Sequence, residues 1–371
     1  MTGWLHPLDP RRLLTLLSRT RPAPEPQLPP DVKRIRLALQ GGGAHGAFTW
    51  GVLDALLEDE RIAIDALSGA SAGALNAVIL VDGLRRGGRA EAKRRLAAFW
   101  RAVSRDGNMP DAPRKAFERF FRFVPMAGGA VQPWLETLAQ FVSPYDFNPL
   151  NINPLRELIE RFVDFEALRA TALPQLFISA TNVETGRMRI FPRQAITAEA
   201  VMASAALPFL FRAVEIDGVP YWDGGYVGNP PLLPLYGAET ADILIVQINP
   251  LRRGGVPTSA KEIMNRVHEI TFNAPLLTEL RAIAFVERLR GEDRSPPGAA
   301  AGDVRRINLH RIALDARGLG AESRLNNDFD MFLALHAQGR QAARRFLEAH
   351  FDDLGRRGTV DLEAELETAQ R

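Results

Sequence analysis

The sequence predicts an α/β fold, with a largely parallel sheet covered by helices on both faces. Two observations carry this. Strand-like apolar runs alternate with helical patterns along most of the chain, as in βαβ architectures. Several of those runs, such as "ADILIVQIN", are long and rich in β-branched residues, as strands buried on both faces are. A third observation supports the same class: hydrophobic residues form 46% and charged residues 24% of the 371, the balance of a folded globular chain.

The elements follow in order. "MTGWLHPLDPRRLLTLLSRTRPAPEPQLPP" lacks the continuous apolar core and cleavage site of a secretory leader, so a cytoplasmic location is expected. Its "RRLLTLLSRT" suits a short amphipathic helix, open to two uses: touching a membrane surface, or packing on its own domain. The proline-rich 21–30 stretch reads as an extended linker. "RIRLALQ" is then a buried strand that runs into three glycines, with a helix from about Ala47. "AIDALSG" supplies a second strand, and helices are expected over Ala72 to Leu84 and Glu91 to Val103. Irregular helices broken by prolines extend to about Arg169. Strands return in "QLFISATNV", "RMRIF", "FRAVEI" and "GVPYWDGGYV", with the helical "AEAVMASAAL" among them. After "ADILIVQIN" come a long helix from about Ala260 to Arg290, the strand-like "VRRINLHRIAL" and a helix from about Asp328 to His350. The expected organisation is an N-terminal extension and linker over 1–32, a catalytic domain over 33–315 and a helical extension over 316–371.

Composition removes some chemistry. The chain has no cysteine, which excludes disulfides, thiolate metal sites and thiol nucleophiles. No apolar run approaches the roughly 20 residues of a membrane-spanning helix. A net charge of +2 says little about partners, but its distribution says more. Between Arg85 and Arg122 twelve Lys and Arg face four acids, interleaved with Phe99, Trp100, Phe117, Phe120, Phe121 and Phe123. That pattern fits peripheral contact of 85–123 with an anionic lipid surface, or an amphipathic helix pair with its rings inward. No nucleic-acid module is present. A mobile flap near "FRFVPMAGGAVQP" is a further expectation.

Three short motifs carry candidate chemistry. In "GASAGALNA", Gly69, Ser71 and Gly73 form a G-x-S-x-G elbow at a strand-to-helix junction, where a tight turn exposes the hydroxyl and small neighbours allow close approach. The following helix adds its positive N-terminal end. In "QGGGAHGAF", the backbone N–H groups of Gly41, Gly42 and Gly43 can line an anion nest, which suits either an oxyanion hole or a nucleotide phosphate, since Gly41, Gly43 and Gly46 also fit G-x-G-x-x-G. The acidic residue that a dinucleotide site wants at the end of the second strand is absent there; Asp65 lies at its start. In "YWDGGYVGNPP", Asp223 before two glycines is either a plain turn or a carboxylate held to take a proton from Ser71. Together the three motifs favour a serine nucleophile with a carboxylate base.

The G-G-G-x-x-G loop, "GASAGALN", "ASAALPFLF" and the "DGG" of Asp223 occur in the order and context of the patatin-like phospholipases, which this chain resembles from about Arg34 to Asn249. The resemblance implies a three-layer α/β/α sandwich, a Ser71–Asp223 dyad, an oxyanion hole at Gly41, Gly42 and Gly43, and hydrolysis of lipid acyl esters with no metal and no cofactor. The chain departs from the family at His45, where Arg or Lys is usual, which weakens electrostatic help to the oxyanion. Two alternatives stay open: a Ser-Asp-His triad using His310 or His336, and a non-catalytic lipid or acyl-chain binder on the same fold.

Overall fold

The computed structural model describes residues 29, 31–104, 143–148, 151, 153–172, 174–236, 240–291, 307–317, 319, 323, 324, 326–362 and 364. The N-terminal amphipathic stretch, the flap and residues 105–123 of the basic segment lie outside them. Eight strands form one mixed sheet. Five run parallel: β3 (Gln175–Asn182), β2 (Ile62–Gly69), β1 (Lys33–Leu39), β7 (Asp242–Gln247) and β8 (Asn308–Ala313), side by side in that order. β6 (Val219–Asp223) pairs antiparallel with β3 and β5 (Val214–Ile216) extends that edge, while β4 (Met188–Pro192) also pairs with β3.

The apolar alternation along the strands explains the layers. Ile35, Leu37 and Leu39 of β1, with Leu244 and Val246 of β7, pack into one core with α1 (Gly46–Glu58), α2 (Ala72–Val103) and α8 (Phe329–His350). The alternate residues Ala38, Ile243 and Ile245 pack into a second core with Leu276, Leu280 and Ile283 of α7 (Ala260–Gly291). Successive strand side chains point to opposite faces, so this is a sheet buried on both sides between helical layers. Between these elements lie α3 (Pro144–Phe147), α4 (Pro154–Phe162), α5 (Phe165–Ala170) and α6 (Ala198–Ser204). No helix among the described residues is long and apolar enough to cross a membrane.

α1 and α8 cross at close range because glycines face backbone there: a Cβ at Gly339 would meet the Phe48 carbonyl, and one at Gly51 the His336 carbonyl. The helices expected over Ala72 to Leu84 and Glu91 to Val103 are both present within α2, divided by non-helical backbone at Gly87 and at Gly88, whose φ of 68° and ψ of −156° suit glycine alone, and a Cβ at Gly83 would meet Ala92 Cα, so the second helix folds back on the first. In the described half of the basic segment the cations have partners within the chain, although Arg86, Arg94 and Arg101 stay exposed. Arg85, Arg86 and Arg95 pair with the buried Asp82, Lys93 with Glu58, and Arg94 with Glu91; Arg89 donates to the carbonyls of Leu56, Leu57 and Asp59, and Arg101 lies 4.3 Å from the Phe329 ring. Phe99 and Trp100 are buried.

Candidate active site

β1, β2 and β7 all end on the same edge of the sheet, and the site residues sit there. In parallel sheets this carboxyl edge is where ligands bind. β2 ends at Gly69, and the chain reverses through Ser71 into α2. Ser71 has φ 53° and ψ −123°, a strained conformation for a residue with a side chain. Contact explains the small neighbours. A Cβ at Gly69 would lie 2.7 Å from the Gly73 carbonyl carbon, and one at Gly41 would lie 2.7 Å from Ser71 Cβ. The Ser71 N–H is shared between Ser204 Oγ at 3.0 Å and the Ser204 carbonyl at 3.1 Å.

Asp223 closes β6. Its N–H donates to the Ala206 carbonyl at 2.9 Å, and its own carbonyl accepts from Thr181 Oγ1 at 2.7 Å. Residues 204–206, just past α6, therefore hold the backbones of both Ser71 and Asp223. The glycines after Asp223 have steric reasons: a Cβ at Gly224 would strike the Ser179 carbonyl, and one at Gly225 the Phe272 ring. Gly225 N–H donates to Asp223 Oδ1 at 2.7 Å.

The carboxyl of Asp223 is fully buried, and this burial raises its pKa to about 7 against the weaker opposing pull of the Gly225 N–H and the Ser71 side chain. Oδ2 has no partner at ordinary hydrogen-bond distance and angle. The Ser71 side chain is near enough to lower the pKa of the carboxyl, which sets hydroxyl and carboxyl side by side. Beside them Tyr226, packed on Phe272 at 5.0 Å, has its hydroxyl buried without a partner and its pKa raised by burial and by the Asp223 charge.

The glycine loop is held from several directions. Gly41 N–H donates to Asn229 Oδ1 at 2.6 Å, and the Gly41 carbonyl accepts from Asn249 Nδ2 at 2.6 Å and Asn229 Nδ2 at 3.2 Å. Gln40 Oε1 accepts from the N–H groups of Ile248 and Asn249, both at 2.8 Å, and Gln40 Nε2 donates to Asn273 Oδ1 at 3.1 Å. Because Gly41 N–H is occupied, Gly42 and Gly43 are the members of the triplet left to face an anion. Gly43 adopts φ 61°, and a Cβ there would strike the Arg324 carbonyl.

His45 is buried and its Nε2 lies 2.7 Å from Ser323 Oγ. Burial, reinforced by the charge of Arg324, lowers its pKa to about 3, so the imidazole is neutral at physiological pH. The other histidines that chain order allowed for a triad are engaged elsewhere. His310 is buried on β8 with Nε2 2.9 Å from Asp242 Oδ1 and Nδ1 3.1 Å from Thr359 Oγ1. His336 stacks on Trp50 at 3.9 Å with Nε2 3.4 Å from Asp54 Oδ2. Sequence reasoning missed Asn229, Asn249, Gln40 and Ser204. Asn229 was the most findable, since it follows "DGGYVG" directly.

A mostly parallel sheet covered by helices on both faces, with a serine on a strained turn and a glycine-rich loop at its carboxyl edge, places the chain in the α/β class. The chain belongs to the patatin-like phospholipase family, whose model matches residues 37–236. It is 26% identical over 244 residues to Lysophospholipase NTE1 from two strains of Cryptococcus neoformans var. neoformans serotype D. That match covers 62% of this chain and 13% of the length of the fungal protein. Among solved structures, VipD from Legionella pneumophila is similar at TM-score 0.38 and 16% identity, covering 86% of this chain and 67% of VipD. The type III effector ExoU is similar at TM-score 0.34 and 16% identity, covering 86% of this chain and 54% of ExoU. ExoU in its heterodimeric complex with SpcU from Pseudomonas aeruginosa gives TM-score 0.30 and 19% identity, covering 92% and 76%.

Proposed function

We propose that this chain is a lipid acyl hydrolase that cleaves carboxylic ester bonds of phospholipids or related acyl esters through Ser71 and Asp223. The observation that carries the reading is Ser71 at φ 53° next to the fully buried Asp223. The Asp223 carboxylate takes the hydroxyl proton as Ser71 Oγ attacks the ester carbonyl carbon. Charge then develops on the carbonyl oxygen, where the N–H groups of Gly42 and Gly43 and the N-terminal end of α2 stabilise it. Asp223 returns the proton to the departing alcohol, leaving an acyl ester on Ser71. Water, deprotonated by the same carboxylate, releases the fatty acid by the reverse sequence. Peripheral attachment through 85–123 belongs to this reading, and the exposed Arg86, Arg94 and Arg101 are the described cations that can take part in it.

The test is labelling by a fluorophosphonate, with the adduct mapped by peptide mass spectrometry while p-nitrophenyl ester hydrolysis is followed. A single adduct on Ser71 that forms as hydrolysis is lost supports the proposal. Absence of both, with lipid vesicles present, would leave a lipid-binding protein. Asn229→Ala is expected to leave Gly41 N–H buried and unpaired, lowering stability by about 1 to 3 kcal/mol and labelling rate on the order of tenfold. Thermal unfolding and labelling kinetics measure the two effects.

A further inference from the structure

Beyond Gly43, three guanidinium groups converge on one carboxylate. Glu269 of α7 is fully buried and accepts from Arg253 Nη2 at 2.7 Å and Nε at 3.1 Å, from Arg266 Nη1 at 3.1 Å, and from Arg324 Nη2 at 3.1 Å. Among the described residues, three positive charges against one negative leave the cluster with an excess of two. Neutralising Glu269 explains only part of this, because the two-pronged contact from Arg253 already supplies a full partner. The other two cations remain uncompensated in a partly desolvated place. Arg324 has 15% of its side chain exposed, its Nε is buried without a partner, and burial together with Arg253 and Arg266 lowers its pKa. A half-buried excess of cations is costly unless an anion joins it.

The cluster is attached to the glycine loop. The Arg324 carbonyl abuts Gly43, Ser323 Oγ bonds His45, and Arg253 lies four residues beyond Asn249, whose side chain holds the Gly41 carbonyl. Arg324 and Arg253 both lower the pKa of His45, and Arg324 also lowers that of His268. Gly43 is exposed, so the loop opens to solvent on this side. His45 is neutral, and Arg324 brings a cation to the same loop from far along the chain. The same stretch of α7 exposes Ile263, Met264, Val267 and Ile270, so the cations border an apolar face, a pairing that suits an amphiphile better than a free ion.

We propose that Arg253, Arg266 and Arg324 form a phosphate-binding site beside the glycine loop that selects acyl esters carrying a phosphate a few bonds from the scissile ester. The substrate-selecting part rests on the hydrolase reading above; the anion site does not.

Two arms on the full-length chain test it. Calorimetry with glycerophosphocholine and with inorganic phosphate reads binding without any turnover. Hydrolysis of 1-palmitoyl-lysophosphatidylcholine against 1-palmitoylglycerol reads selection. Arg253→Gln is expected to weaken glycerophosphocholine binding and to lower the phosphate-ester preference, in kcat/KM and through KM, by about tenfold to a hundredfold, the worth of a charge-assisted hydrogen bond. Arg253→Lys should recover part of the loss, and Arg266→Gln serves if Arg253→Gln does not fold. Binding of inorganic phosphate alone, with the ester preference unchanged in the variants, would overturn selection of a lipid phosphate. No binding by either probe, and no change in preference, would overturn the site. If wild type hydrolyses neither ester, the hydrolase reading fails and calorimetry alone decides the anion site.

Discussion

Ser71→Ala is expected to cut ester hydrolysis by at least about 10⁴-fold, with the loss in kcat and little change in KM, because the hydroxyl is the attacking atom and binds no ground-state group in this scheme. Fluorophosphonate labelling should vanish with it. The fold should persist, since the Ser71 backbone is held through its N–H by Ser204 and alanine keeps that N–H. Ser71→Thr should not restore turnover: a β-branched residue at φ 53° is strongly disfavoured, and Gly41 already leaves no spare room beside Ser71 Cβ. Turnover of Ser71→Ala within tenfold of wild type, measured on p-nitrophenyl butyrate with a matching melting temperature, would remove Ser71 as the nucleophile.

Asp223→Asn should separate activity from stability. Without a base, turnover is expected to fall roughly 10²- to 10⁴-fold. Stability should move the other way above neutrality. Burial pushes the folded carboxyl from its ordinary value of 3.8 up to about 7, so between about pH 4 and 7 the folded chain holds the proton that the unfolded chain has lost. The contribution of this group is therefore complete below pH 4 and disappears as pH rises through 7, a loss of about 4 kcal/mol by linkage. Asp223→Asn carries no such penalty. It should melt near wild type at pH 4 and above it at pH 8. The same titration sets the activity profile: wild-type kcat/KM should climb as pH passes about 7 and the base ionises. Equal activity in Asp223→Asn would dismiss Asp223 as the base; equal melting at pH 8 would mean its charge is not buried at that cost.

The parts of the site that were legible in the sequence are those confined to a few neighbouring residues. Ser71 between Gly69 and Gly73, and Asp223 before Gly224 and Gly225, stand out because each tight turn writes its steric demands into adjacent positions. Asn229, Asn249 and Gln40 act across some 188 to 209 positions, and each does so through backbone bonds that leave no local pattern. Arg324 is similar: nothing around "ESRL" marks it as a neighbour of the glycine loop. Among the elements, the long buried strands and α8 were read closely, since their periodicity is sustained. The break between Leu84 and Glu91 was legible too, because Gly87 and Gly88 leave helical φ/ψ there and divide α2 into two helices. "FRAVEI" shortens to Val214–Ile216 because an edge strand pairs on one side only.

The crossing of α8 over α1 has a consequence in time. α1 grows directly out of the glycine loop, and its outer face is sealed by α8, which follows the eight strands found among the described residues. Ser323 and Arg324, which brace that loop, are made only shortly before α8. A ribosome thus delivers Ser71 and Asp223 long before the segment that steadies the loop, which emerges soon after β8 completes the sheet. On the proposed reading, ester hydrolysis is expected only once Ser323, Arg324 and α8 have left the exit tunnel.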